Sequence, residues 1–274
     1  MDGFLEIMTK PFLACVILTG IHAYLGLHVL ERGVIFVDLA LAQTAALGAA
    51  VGFLVGYELH STGSYVLSLA FALAAAAMFA ATRFRKPIVP QEALIGIVYA
   101  VAGAALILVL SRAPEGGEEL KALMVGHLLF LDWPEIVKLF GMYSLIGLIH
   151  WLFRREFLLI SRDPEAAFAE GYRVRLWDFL FYATFGFVVT SSVDIAGVIL
   201  VFSFLVVPAV CGMLLAETVS GRLIVGWSVS LITSGVGIML SYHLDLPTGA
   251  TVVCVFGLAA VVSGVMRVLR RGLA

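Results

Sequence analysis

The chain has 274 residues, of which 62% are hydrophobic and 13% charged, with a mean hydropathy of +1.06. A soluble globular domain carries roughly 45–50% apolar and about 25% charged residues, so this composition excludes one. With 17 Lys plus Arg against 19 Asp plus Glu, it also excludes the global basic field of a nucleic-acid binder, and no nucleic-acid partner is expected.

Apolar runs near the length that crosses a hydrocarbon core recur along the whole sequence. They predict helices at 11–30, 36–56, 64–83, 91–111, 134–153, 176–191, 195–216, 222–243 and 248–266. The fold class is therefore all-α: a polytopic transmembrane bundle of about nine spans, eight being the alternative, in a single domain over 1–274. The closest pair lies at 176–216, separated by Ser192 to Asp194. The first apolar run has no basic stretch before it and no small-residue cleavage site, so it is read as a retained span.

Charge placement orients these spans. With the C-terminus in the cytoplasm, Arg32, Arg83, Arg85, Lys86, Arg154, Arg155, Arg162, Arg173, Arg175, Arg222, Arg267, Arg270 and Arg271 lie inside, and Lys10, Arg112, Lys121 and Lys138 outside. The positive-inside rule favours this arrangement, with the N-terminus outside. Two loops have structure of their own. The outer one, 112–133, opens on Ala113-Pro114-Glu115-Gly116-Gly117, and its short apolar run at 120–131 predicts an interfacial or cap helix. The inner one, 154–175, contains Asp163-Pro164-Glu165 and ends near Gly171: an acidic N-cap, proline at the first helical position, and glycine as the stop. A short cytoplasmic helix is predicted there.

Chemistry within the chain is sparse. None of the four lysines stands in a G-K-[ST] context, and no H-E-x-x-H, G-x-S-x-G or EF-hand pattern occurs. If transport is ATP-driven, the ATPase is another polypeptide, and no enzyme activity is expected of this chain. Cys15, Cys211 and Cys254 form no C-x-x-C pair and are read as packing residues.

Polar groups inside spans are the default functional candidates, since a charge at the bilayer centre costs roughly 3 kcal/mol on insertion scales. His22, Gln43 and Tyr99 fall at one estimated depth, roughly 10–12 Å from the cytoplasmic boundary at 1.5 Å per residue, where they can line a pathway. The structural alternative is that His22 bonds a neighbouring carbonyl and Tyr99 packs. Asp38 and Glu92 stand near the N-termini of their helices, where the macrodipole favours a carboxylate and headgroup water is within reach. Asp38 shares a helical face with Gly48, Gly52 and Gly56, a small-residue stripe suited to close packing, so it is expected to face a packed helix. Pro208, deep in its span, frees a backbone carbonyl and predicts a kink.

Taken in order, the segments GLHVLERGVIFVDLALAQTAALG (26–48), EALIGIVYA (92–100), DPEAAFAEG (163–171) and GVILVFSFLVVPAVCGMLL (197–215), with the closing SYHLDLPTGA (241–250), resemble the permease subunit of ABC-type importers for zinc and manganese, the ABC-3 family. The resemblance spans nearly the whole chain. It implies a homodimer of permease chains, two ATPase chains, an extracytoplasmic solute-binding protein, and a bacterial or archaeal cytoplasmic membrane. It also implies that Asp163, Pro164, Glu165 and Gly171 meet the ATPase, with no cofactor bound by this chain and a divalent metal as cargo. The family's second span usually carries G-D-x-x-S-H. Aligned on Gly48, those acid and imidazole positions hold Leu39 and Gln43; one inserted residue makes Asp38 the acid but supplies no histidine. His22 and Gln43 are then the candidate metal station. The alternatives are a permease for a chelate or other small solute, an ion-coupled secondary transporter, for which no inverted repeat or midplane acid is apparent, and a membrane scaffold without transport.

Overall fold

A computed structural model of the chain describes residues 2–58, 61–84, 88–112, 126 and 128–272. Among these, the regular structure is helical: α1 (Asp2–Arg32), α2 (Val37–Leu54), α3 (Thr62–Ala81), α4 (Gln91–Leu110), α5 (Trp133–Leu152), α6 (Arg154–Arg162), α7 (Pro164–Ala169), α8 (Val174–Ala196), α9 (Val198–Leu215), α10 (Val219–Leu244) and α11 (Thr248–Gly272). Nine of the described helices are long and apolar enough to cross a membrane, and they fall where the apolar runs place them. The expected helix at 120–131 lies mostly outside the described residues; what is described there is a 3-10 turn, Leu128–Phe130.

Two boundaries differ from expectation. The helix α1 begins at Asp2 and takes Pro11 into its interior. The break between α8 and α9 falls at Gly197, with φ of +76°, and Ser192 to Asp194 stay inside α8. Serines do not end this helix because its own carbonyls satisfy them: Ser191 Oγ donates to Phe187 O at 2.9 Å and Ser192 Oγ to Val188 O at 2.7 Å. Such back-bonding lets a hydroxyl sit within a helix, whereas a left-handed φ ends one and suits glycine.

The chain divides into two compact units. One comprises Met1–Leu30, Val125–Leu145 and Ile195–Ala274. Here α9, α10 and α11 pack against one another, and small residues bring their backbones together. A Cβ at Gly237 would lie 2.7 Å from Val252 Cα, and one at Gly226 would lie 3.2 Å from Pro208 O. The helix α9 runs unbroken through Pro208. Phe204 and Phe256 meet edge to face at 5.0 Å. The signature at 241–250 forms the tight connection between α10 and α11: Asp245 takes the left-handed conformation, Ser241 Oγ donates to Leu246 O at 2.7 Å, and it shares a 2.8 Å bond with the Thr248 hydroxyl.

The second unit comprises Glu31–Met124 and Ile146–Asp194. Here α2 packs against both α3 and α4. The glycine stripe serves this packing, as its spacing suggests: a Cβ at Gly48 would lie 2.6 Å from Leu67 O and 2.8 Å from Ser68 Cα, while one at Gly52 would lie 3.4 Å from Ser64 Cα. Gly56 ends the stripe beyond α2 with φ of +95° and meets nothing. On another face of α2, Ala46 and Ala50 pack with Leu106 and Leu110 of α4. The 154–175 segment contains α7 as the sequence predicts, with Asp163 Oδ1 accepting from Ala166 N at 2.9 Å, Pro164 in its first turn and Gly171 at φ of +82°. It also contains α6, which buries Phe157, Ile160 and Ser161 and exposes Arg154 and Arg155. Ile160, Ala167 and Val174 form one buried cluster fixing α6, α7 and the start of α8.

Candidate functional site

The polar groups predicted to line a pathway fall in different surroundings. In the first unit, His22 is fully buried. Its Nδ1 bonds the Leu18 carbonyl at 2.9 Å, and the ring stands edge-on to Tyr143 at 6.1 Å. The carbonyl bond is the one foreseen as the structural alternative. Helix α10 lies alongside, with Trp227 Nε1 donating to Gly20 O at 3.2 Å. This neighbourhood also buries the Thr19 and Ser230 hydroxyls, which find no hydrogen-bond partner among the described residues.

In the second unit, Gln43 is half-buried against α4, its Oε1 lying 3.6 Å from where a Cβ of Gly103 would stand. Tyr99, on the same α4, is 38% exposed. Asp38 corrects the capping expectation. It is 1% exposed, its Oδ1 has no hydrogen-bond partner among the described residues, and α2 has no side-chain cap, so this carboxylate neither caps nor reaches water. Glu92 does cap, but on a neighbouring helix: its Oε1 accepts from the N–H of Phe36, the residue preceding α2, at 3.1 Å. A first-turn carboxylate of α4 thereby satisfies one of the donors left open at the start of α2. Cys15 and Cys211 are buried, and Cys254 is exposed. Among the described residues, no three His, Cys, Asp or Glu gather into a metal-binding set.

The most highly charged buried constellation is one the sequence did not single out. Arg32, the last residue of α1, and Asp178, in the first turns of α8, pair directly with both side chains at 0% exposure. Arg32 Nε also donates to Ser161 Oγ of α6 at 2.9 Å, and its guanidinium lies 4.0 Å from the centroid of the Phe181 ring. From the end of α3, Arg83 brings its Nε to 3.4 Å from Asp178 Oδ2 and donates to Gln91 of α4. One carboxylate thus joins the ends of α1, α3 and α8, with α6 attached through Ser161 and α4 through Gln91. A buried charge is tolerated where it is paired and hydrogen-bonded, and the planar guanidinium fork suits that task. The signal that could have found it is Asp178 itself, a carboxylate just inside a span. By sequence, Arg32 and Arg83 mark only the topology of the spans.

This segment also holds the residues expected to meet an ATPase. Asp163, Glu165 and Gly171 are exposed and Pro164 half-buried, so α7 presents acidic side chains outward while Ala167 anchors it beneath.

Nine long apolar helices define a multi-pass membrane protein. The chain belongs to the ABC 3 transport family, whose model matches residues 4–267, and it is a membrane permease subunit. It is 25% identical over 257 residues to the manganese transport system membrane protein MntC of Listeria innocua, covering 92% of this chain and 87% of the relative. It is 23% identical over 256 residues to the chelated iron transport system membrane protein YfeD of Yersinia pestis, covering 93% and 84%. Its fold is similar to that of a chain in the structure of PsaBC from Streptococcus pneumoniae in complex with Fab, at a TM-score of 0.79 and 19% identity over 96% of this chain and 94% of that one.

Proposed function

We propose that this permease carries a divalent transition-metal ion into the cell, driven by ATP hydrolysis on a separate ATPase and supplied by an extracytoplasmic solute-binding protein. Two copies of the chain form the working unit in a bacterial or archaeal cytoplasmic membrane, N-terminus outside and C-terminus inside. The observation that carries the reading is α7. A chain without a nucleotide-binding motif presents a capped helix with exposed Asp163 and Glu165, held on a buried cluster that continues into span α8. Manganese and chelated iron, named for relatives that match nearly the full length, supply the substrate class.

Within the spans, His22 is the side chain suited to a borderline metal, since imidazole is a good ligand for such ions; Gln43, Tyr99, Asp38 and Glu92 are further candidates along the pathway. A second reading, transport of a chelate rather than a bare ion, is favoured by Gln43 standing where the family usually has histidine. The test is uptake of radioactive manganese into vesicles holding the permease and its ATPase. The Asp163→Lys, Glu165→Lys variant is expected to lose both ATPase association and uptake while the wild-type chain alone hydrolyses no ATP. Normal assembly and uptake in that variant would remove the coupling assignment.

A further inference from the structure

The second unit contains a cavity of about 350 Å³ lined by Arg83, Phe168, Tyr172, Arg173, Val174 and Arg175. Three of its six lining residues are arginines and none is acidic; Arg83 is offset by Asp178 outside the lining, which leaves the charges of Arg173 and Arg175. Arg173 and Arg175 are exposed. Arg175 spends its Nε on the Arg83 carbonyl at 3.4 Å and holds its guanidinium 5.8 Å from the Phe84 ring. Neither Arg173 nor Arg175 has a carboxylate partner among the described residues. Arg83 faces two ways, lining the cavity and pairing with buried Asp178.

The cavity also sits where two spans end, just past α3 and at the first turn of α8. Large apolar side chains are exposed beside its lining residues: Phe84, whose ring faces the Arg175 guanidinium, at 53%, and Leu176, next to Arg175 in the chain, at 49%. A basic hollow bordered by exposed apolar and aromatic groups at the end of membrane spans matches the two halves of a phospholipid, an anionic head and acyl chains. Arginine forks suit phosphate bidentately, and basic pockets at the cytoplasmic ends of spans bind anionic head groups. We propose that this cavity holds the phosphodiester of an anionic phospholipid, with Arg173 and Arg175 as its ligands and Arg83 linking the filled site to the Asp178 ion pair. An acidic protein surface would satisfy the arginines but leave Phe84 and Leu176 without an apolar counterpart.

The proposal rests on the membrane side assigned above, and its test is independent of transport. The purified full-length chain is titrated with phosphatidylglycerol or phosphatidylcholine in detergent, and retained lipid is read by native mass spectrometry. Preferential retention of phosphatidylglycerol is expected. The Arg173→Ala, Arg175→Ala variant should weaken it roughly thirtyfold, taking the usual contribution of each basic residue near an anionic surface, and Arg173→Lys, Arg175→Lys should restore part of it. Equal retention by the alanine variant would overturn the proposal. Protection against thermal unfolding by inorganic phosphate, without any preference for phosphatidylglycerol, would overturn the lipid source in favour of a soluble anion. Loss of ATPase co-purification in the alanine variant with lipid retention unchanged would assign the arginines to a protein contact instead. Manganese uptake by the wild type is scored separately, so failure here leaves the transport reading standing.

Discussion

Replacing Asp178 by Asn tests whether the buried ion pair holds the second unit together. Both the Arg32 and Asp178 side chains are at 0% exposure, so water cannot screen the charge left behind. Removing one partner of such a pair costs about 3–5 kcal/mol, because it strands the other. The Arg83 contact adds less: its side chain is 12% exposed and keeps its bond to Gln91. The pair's own net worth is a different quantity, since desolvation offsets much of the attraction and a well-packed apolar replacement is often neutral or stabilising. Unfolding of the purified chain, followed by intrinsic fluorescence against denaturant, should therefore show a large loss for Asp178→Asn and recovery of most of it for Arg32→Met with Asp178→Leu. If Asp178→Asn shifts stability by no more than about 0.5 kcal/mol, the level of an ordinary surface change, the pair is not the clasp inferred here. A double variant no better than the single would refute the stranded-charge account.

Three further outcomes are expected. Gly48→Ala should destabilise by about 1–3 kcal/mol, as overpacking does, because its Cβ would lie 2.6 Å from the Leu67 backbone oxygen; Gly96→Ala, where nothing lies within 4 Å, should be neutral or slightly stabilising in the same unfolding assay. His22→Ala should abolish manganese uptake while leaving expression and ATPase association intact, and unchanged uptake would make this histidine a packing residue. In a cysteine-free background, an impermeant thiol reagent should label a cysteine at Gly117 from outside and ones at Gly171 or Gly272 only after the membrane is opened; outside labelling at Gly272 would reverse the topology.

The spans were legible because an apolar stretch long enough to cross a bilayer is a property of contiguous residues. The same holds for α7, whose start is written in Asp163 and Pro164 and whose end is written in Gly171. Legibility stopped where a residue's role depends on a distant partner. Arg32 and Asp178 lie 146 positions apart, and nothing local marks them as a pair. Glu92 was read as serving its own helix, yet it caps α2, because the donor it satisfies belongs to Phe36. Asp38 is 1% exposed, a degree of burial not visible from the wheel. Ser192 to Asp194 misled as a boundary because polarity alone does not end a helix when hydroxyls can turn back onto it.

Gly126 adopts a φ of +71°, and a Cβ there would fall on Gly197 N and lie 2.6 Å from both Ala196 C and Ile195 O. Backbone meets backbone at the corner where α8 gives way to α9, with no side chain between to act as a cushion. Two backbones in such contact have almost no slack: α9 cannot shift at its first residue without displacing Gly126. Any rearrangement that reaches the start of α9 is therefore felt at once at Gly126. A bulkier residue at 126 would act as a wedge, holding that corner permanently ajar.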